Sequence, residues 1–339
     1  MTLWREEEIL AVSLQFMEGD GNMVWLNTGN RGGGMTLWRE EEILADINLT
    51  EELRSFTINS VNRVYVDKTI TLKRSYNQTL RDFEADGILT DFSSQPERAR
   101  IQINEYVEQK TNNLIKDLFS PSDITRDTRL AIVNALYFKA AWETPFPTAS
   151  TEKKIFKTAT NQEVRIPFMT ADSSFNYGKS KNLGAQILQI PYKNPEISFT
   201  VILPEEGVDL SGIEERLTTE VIDREESEMA FQRVWLSMPK FKLEEKTDLE
   251  DSLTKLGLAE LFNEPGLRGI TESNTPLKVS SFVHKAFISV DEKGTEAAAA
   301  TGVAFTERIS PPPFICNRPF IFFIRRKQEI VFIGRLSSP

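Results

Sequence analysis

One histidine, His284, and one cysteine, Cys316, give this 339-residue chain a single candidate thiol–imidazole pair. A thiolate beside an imidazole can carry acyl transfer. Cys316, however, sits in FICNRP with no visible base, orienting group or oxyanion loop. One histidine and one cysteine cannot build a typical zinc site. Gly32, Gly33 and Gly34 lack the lysine that completes a phosphate-cradling loop. The expectation is no catalytic constellation, no metal and no cofactor.

The more informative residues are Asp291 to Pro319, DEKGTEAAAATGVAFTERISPPPFICNRP. The four alanines Ala297, Ala298, Ala299 and Ala300 favour a helix by propensity. At a spacing of two, Thr295, Ala297, Ala299, Thr301, Val303 and Phe305 share one face, while Glu296 and its small neighbours take the other. Such a segment, small and mostly apolar on one side, suits insertion into a gap in an existing sheet. A single arginine, Arg308, and the prolines 311 to 313 follow it.

This tract resembles the reactive-centre loop of the serpins. Other stretches resemble that family in the same order: VNALYFKAAWETPF, MPKFKLEEKTDLEDSLTKLGL, VSSFVHKAFISVDEKGTEAAAA and the ending RPFIFFI…IVFIGRLSSP. The resemblance runs from about Phe56 to Pro339. It implies an α+β fold of three mixed, mostly antiparallel sheets with surrounding helices and an exposed loop. It implies a hinge comprising Glu292, Gly294, Thr295, Glu296 and Ala297 to Ala300.

In the family the specificity residue lies fourteen positions after the hinge glycine, which is Arg308 here. Counting eleven back from Pro319 also reaches Arg308. Arg308–Ile309 is then the bond offered to a protease, and a guanidinium matches the acidic primary pocket of trypsin-like serine proteases. The resemblance further implies that His284 and Asn134 gate sheet opening, and that Trp142 marks where insertion begins. The implied activity is suicide inhibition of a trypsin-like serine protease by a monomer. The alternative is a non-inhibitory carrier, chaperone or storage protein, because no counterpart of the family's N-terminal helices is visible. The basic helix that binds glycosaminoglycans falls in that unmatched region, which leaves that partner unassigned.

The elements that must position these residues follow from the pattern. A net charge of −10 argues against nucleic-acid binding. No apolar run is long enough for a spanning helix. Residues 1–55 stand apart, since MTLWREEEILA occurs at Met1 and again at Met35; residues 56–339 read as one domain. FTINSVNRVYV reads as a strand and Leu130 to Ala141 as a buried central strand. Gln186 to Pro204 reads as two strands, and Phe320 to Gly334 as a hairpin. Ser94 and Pro96 open a helix expected to carry Ile103, Val107 and Leu114 on one face. SGIEERLT and LEDSLTKLGLAELF also read as helices. The basic groups Lys153, Lys154, Lys157 and Arg325, Arg326, Lys327 are expected to be solvated. Two sequons, at Asn48 and Asn77, favour a secreted glycoprotein.

Overall fold

A computed structural model describes residues 56–82, 85–263, 267, 270–272, 277–294 and 310–339, with the backbone of three short strands before residue 36. The central sheet has five strands in the order β12 (Phe241–Asp248), β13 (Ser281–Val290), β6 (Leu130–Ala140), β4 (Phe56–Asp67) and β5 (Asp86–Thr90). β6 lies in the middle, buried everywhere except at Asn134 and Lys139, which are half-buried. This is the environment that a near-continuous apolar run requires. β12 is antiparallel to β13, and β4 is antiparallel to β6. β13 and β6 run parallel, with Ser281 opposite Ala131 and Ile288 opposite Phe138.

A second sheet of nine strands follows the path β1 (Met23–Trp25), β16 (Glu329–Leu336), β15 (Phe320–Arg326), β10 (Ile197–Pro204), β9 (Ala185–Pro191), β8 (Glu163–Ser180), β11 (Ala230–Pro239) and β14 (Pro313–Ile315). β7 (Glu152–Lys157) also pairs with β8. A small third sheet joins β2 (Asn30–Arg31) to β3 (Gly34–Met35). The two large sheets share one apolar core, in which Phe138 and Ile288 meet Phe199, Phe320, Phe322 and Phe332. Mixed sheets with helices around them make this an α+β fold.

The helices are α1 (Arg74–Asp82), α2 (Pro96–Lys110), α3 (Leu210–Glu214), α4 (Thr219–Ser227) and α5 (Glu250–Leu253). The helix expected to be capped by Ser94 begins instead from Gln95, and the Ser94 N–H is engaged by Asp91. It also ends at Lys110, before Leu114. Asn112 and Asn113 adopt left-handed backbone at φ of 54° and 61°, which asparagine tolerates better than most residues. The helix read over LEDSLTKLGLAELF keeps only one α turn, because Gly257 breaks it at φ 89°.

The solvated reading of the last basic group is also corrected. Arg325 and Arg326 are buried, Arg325 between Asp223 and Glu226 and Arg326 facing Glu196. β15 runs two residues past the apolar run, and α4 covers its end.

Candidate functional site

Two joints of the central sheet are parallel, β4 with β5 at its edge and β6 with β13 in its interior, and the interior seam is the one of interest. A row of polar side chains crosses it on one face. His284 lies opposite Asn134, which lies opposite Asn62 of β4. The Asn134 Oδ1 accepts from His284 Nδ1, and the Asn134 amide donates to Asn62 Oδ1. Because Asn134 presents its carbonyl oxygen to the ring, the neutral imidazole carries its proton on Nδ1. Burial pushes the His284 pKa down to about 4, so the ring is uncharged at neutral pH. Its Nε2 is buried with no hydrogen-bond partner among the described residues. Above the row lie Leu136, Phe138, Ala286 and Ile288, and below it Leu130, Ile132 and Phe282. One polar layer thus interrupts an otherwise apolar face.

The seam's other face is covered by residues 111–129, the connection from α2 to β6. Ile115, Leu118, Phe119 and Ile124 pack with Val133 and Tyr137 of β6 and with Val283 and Phe287 of β13. Two lysines hold this strap. Lys285 on β13 donates to the Lys116 carbonyl at 2.7 Å, and Lys246 on β12 pairs with Asp123 at 2.7 Å. Asn104 of α2 closes it with a two-way bond to the Phe119 backbone, at 2.8 and 2.9 Å.

At the upper end of the seam the chain leaves β13 and reverses. Gly294 forms an antiparallel bridge to Asp291 on one side and to Ala141 on the other. It therefore lies between the extensions of β13 and β6, already running in the opposite direction to both. The position requires glycine: its φ is 104°, and a Cβ there would lie 2.4 Å from the Ala140 carbonyl oxygen and 2.5 Å from the Trp142 nitrogen.

Trp142 is buried beside this turn. It stacks on Tyr192 at 4.4 Å between ring centroids and donates from Nε1 to the Asp291 carbonyl at 2.9 Å. Glu292 is buried, with Lys240 at 2.6 Å and the Thr151 hydroxyl at 2.7 Å. Burial alone would raise its pKa, but hydrogen bonds from Lys240 and Thr151 outweigh that and hold the carboxyl below its usual value. The Glu292 carbonyl also accepts from Phe146 N–H at 2.7 Å.

The structure thus brings His284 and Asn134 together, and brings Trp142, Glu292 and Gly294 together one end higher. Thr295, Glu296, Ala297 to Ala300, Arg308, Ile309 and Asn48 lie outside the described residues. Asn77 is half-buried on α1, with its Oδ1 turned toward Gly87 of β5. Cys316 is fully buried, and that burial raises its thiol pKa far beyond the range of a nucleophile. No metal-binding cluster occurs among the described residues, and none of their helices is long and apolar enough to cross a membrane.

Sequence reasoning missed Asn62, Lys240, Thr151 and the two strap lysines. Asn62 alone carried a signal, as a polar residue at an alternating position within FTINSVNRVYV. The others meet their partners only through tertiary contact.

Comparison with known proteins matches residues 38–339 to the family model described as serpin (serine protease inhibitor). Serpin B4 of Homo sapiens is 39% identical over 294 residues, covering 84% of this chain and 75% of that protein. The crystal structure of native protease nexin-1 with heparin is similar at a TM-score of 0.80 and 28% identity, over 94% of this chain and 93% of that one. Uncleaved ovalbumin is similar at a TM-score of 0.79 and 25% identity, over 88% and 81%.

Proposed function

This chain belongs to the serpin family, and on that premise we propose that it traps trypsin-like serine proteases as a suicide substrate cleaved at Arg308–Ile309. The protease serine Oγ attacks the Arg308 carbonyl carbon, the amide breaks, and Ile309 departs as a free amine. Arg308 remains as an ester on the protease. The freed loop then adds to the central sheet between β6 and β13 and carries the protease with it.

The observation that carries this reading is Gly294, bridged to Asp291 and Ala141 at once. A strand continuing from it would be antiparallel to both β13 and β6. It would replace one parallel seam with two antiparallel ones, the slightly more stable pairing. Twelve to fifteen inserted residues gain ladder bonds of about 1 kcal/mol each, on the order of 10 kcal/mol in all. That rivals the stability of a whole domain. Insertion must outrun hydrolysis of the ester, so the side chains entering the sheet must be small. Thr295, Ala297 and Ala299 meet that need. His284, Asn134 and Asn62 act as the gate across the seam, while Trp142 and Glu292 fix the turn from which insertion starts.

The family includes protease inhibitors and also non-inhibitory members such as ovalbumin. The structural likeness to ovalbumin keeps a non-inhibitory role as the second reading. Family members occur both outside and inside cells, and the secreted, monomeric, glycosylated form is the reading adopted.

Thr295→Arg separates the two roles. Wild-type protein mixed with trypsin should give an adduct that survives SDS. The variant should instead be cut behind Arg308 without retaining the protease. An adduct of undiminished yield from the variant would remove the insertion mechanism.

A further inference from the structure

Phe231 is 74% exposed, the most exposed large apolar side chain among the described residues. It stands on β11, whose alternate residues Val234, Leu236 and Met238 are buried. Phe231, Arg233 and Trp235 therefore share the outer face of the strand. Arg233 makes a two-pronged pair with Asp172 at 2.8 and 2.9 Å, and the Lys154 ammonium lies 5.1 Å from the centre of the Trp235 ring. Two aromatic rings flanking a held arginine form the kind of surface enriched in protein interfaces. A single exposed phenylalanine would be unremarkable by itself. Its position relative to the loop is what gives it meaning.

β14 runs parallel to β11, with Pro313 opposite Trp235 and Ile315 opposite Ser237. The chain entering β14 thus comes from the direction in which β11 runs back to Phe231. Phe231 precedes Trp235 by four residues, about 13 Å of strand. Arg308 precedes Pro313 by five residues, so an extended chain keeps it within about 18 Å of that proline. A bound protease covers about 800 Å² per partner, a disc of about 16 Å radius. A protease gripping Arg308 is therefore within reach of the outer face of β11.

Resting on Arg308–Ile309 as the attacked bond, we propose that Phe231 is a specificity-determining contact for the protease, meeting an apolar patch beyond its primed subsites. Arg233 is engaged by Asp172, so the contact is apolar in character and persists at high salt.

The test is the second-order rate at which trypsin and thrombin consume the intact loop, counting covalent adduct and simple cleavage together. Phe231→Ala should lower that rate about tenfold for at least one protease, by unequal factors for the two, and equally at low and high salt. Leu89→Ala, which alters a 60% exposed side chain on β5 in the other large sheet, should leave both rates within twofold of wild type. Both variants should keep the wild-type melting temperature. Rates within twofold for Phe231→Ala against both proteases would overturn the proposal, as would an equal loss with Leu89→Ala. If wild type is cut but never traps, the inhibitor reading falls while Phe231 is still scored by the cleavage rate. If neither protease attacks Arg308, both ideas fall together.

Discussion

Set the nine-stranded sheet beside the five-stranded one. Along its main path the larger sheet is antiparallel from β16 to β11, with a parallel contact only where β14 joins it. Its β15 is buried at every residue, and Phe320, Phe322 and Phe332 pack with Phe241 and Phe199. The smaller sheet borrows that same core for its upper half yet carries a parallel seam at its centre. A polar row crosses the seam and a loop is strapped over it by side-chain bonds. The first sheet has little room to change. The second has a parallel joint between two antiparallel pairs, β12 with β13 and β6 with β4.

The largest test of that contrast is to fill the joint. Protein nicked behind Arg308 should melt at least about 20 °C above the intact form, since on the order of 10 kcal/mol is at stake and each kcal/mol moves a large domain by about 2–4 °C. Calorimetry before and after limited trypsin treatment measures it. Equal melting points would mean that the two sheets are alike in being at rest.

A smaller effect tests the turn where the joint begins. Gly294→Ala should cost about 4 kcal/mol, combining a strained left-handed backbone with overlap against the Ala140 carbonyl. A lowered urea midpoint would report it. No change in midpoint would mean that Gly294 is not clamped between Asp291 and Ala141 as described.

The polar row gives the smallest and most specific effect. His284 has a pKa near 6.5 in an unfolded chain and about 4 in the folded protein. Between those values the unfolded state binds a proton that the folded state refuses. The stability associated with neutral His284 is therefore complete above pH 6.5 and lost as pH falls through 4, by about 3 kcal/mol in total. His284 is the chain's one histidine, so His284→Gln should flatten this part of the stability–pH curve. Identical wild-type and variant curves between pH 4 and 6.5 would show that the row is not sealed from water.

Much of this arrangement was legible in the residues. Leu130 to Ala141 reads as a strand buried on both faces, and β6 lies at the centre of its sheet. The Phe320 hairpin and the pair Gln186 to Pro204 declared themselves by apolar runs broken at Lys327 and Asn194. Local signals failed where another group, near or far in sequence, competed. Ser94 had the chemistry of a helix cap, but its N–H is taken by Asp91. Arg325 and Arg326 have the composition of solvated turn residues, but α4 brings Asp223 and Glu226 over Arg325, and Glu196 faces Arg326. The helical spacing carries on to Leu114 at the start of the strap, but Asn112 and Asn113 bend the backbone away before it.

Composition and spacing by themselves marked Leu130 to Ala141, Gln186 to Pro204 and the Phe320 hairpin as strands, and set Thr295 to Phe305 apart as a run with small side chains on one face. Those properties belong to side chains and their immediate neighbours, so they survive without a fold. Only the tertiary structure decided that β6 and β13 run parallel, that Asn62 completes the row with Asn134 and His284, and that Gly294 already stands between two strands. Strand direction and register are set by contacts between residues 72 and 150 positions apart, and no local pattern encodes which distant backbone will lie alongside.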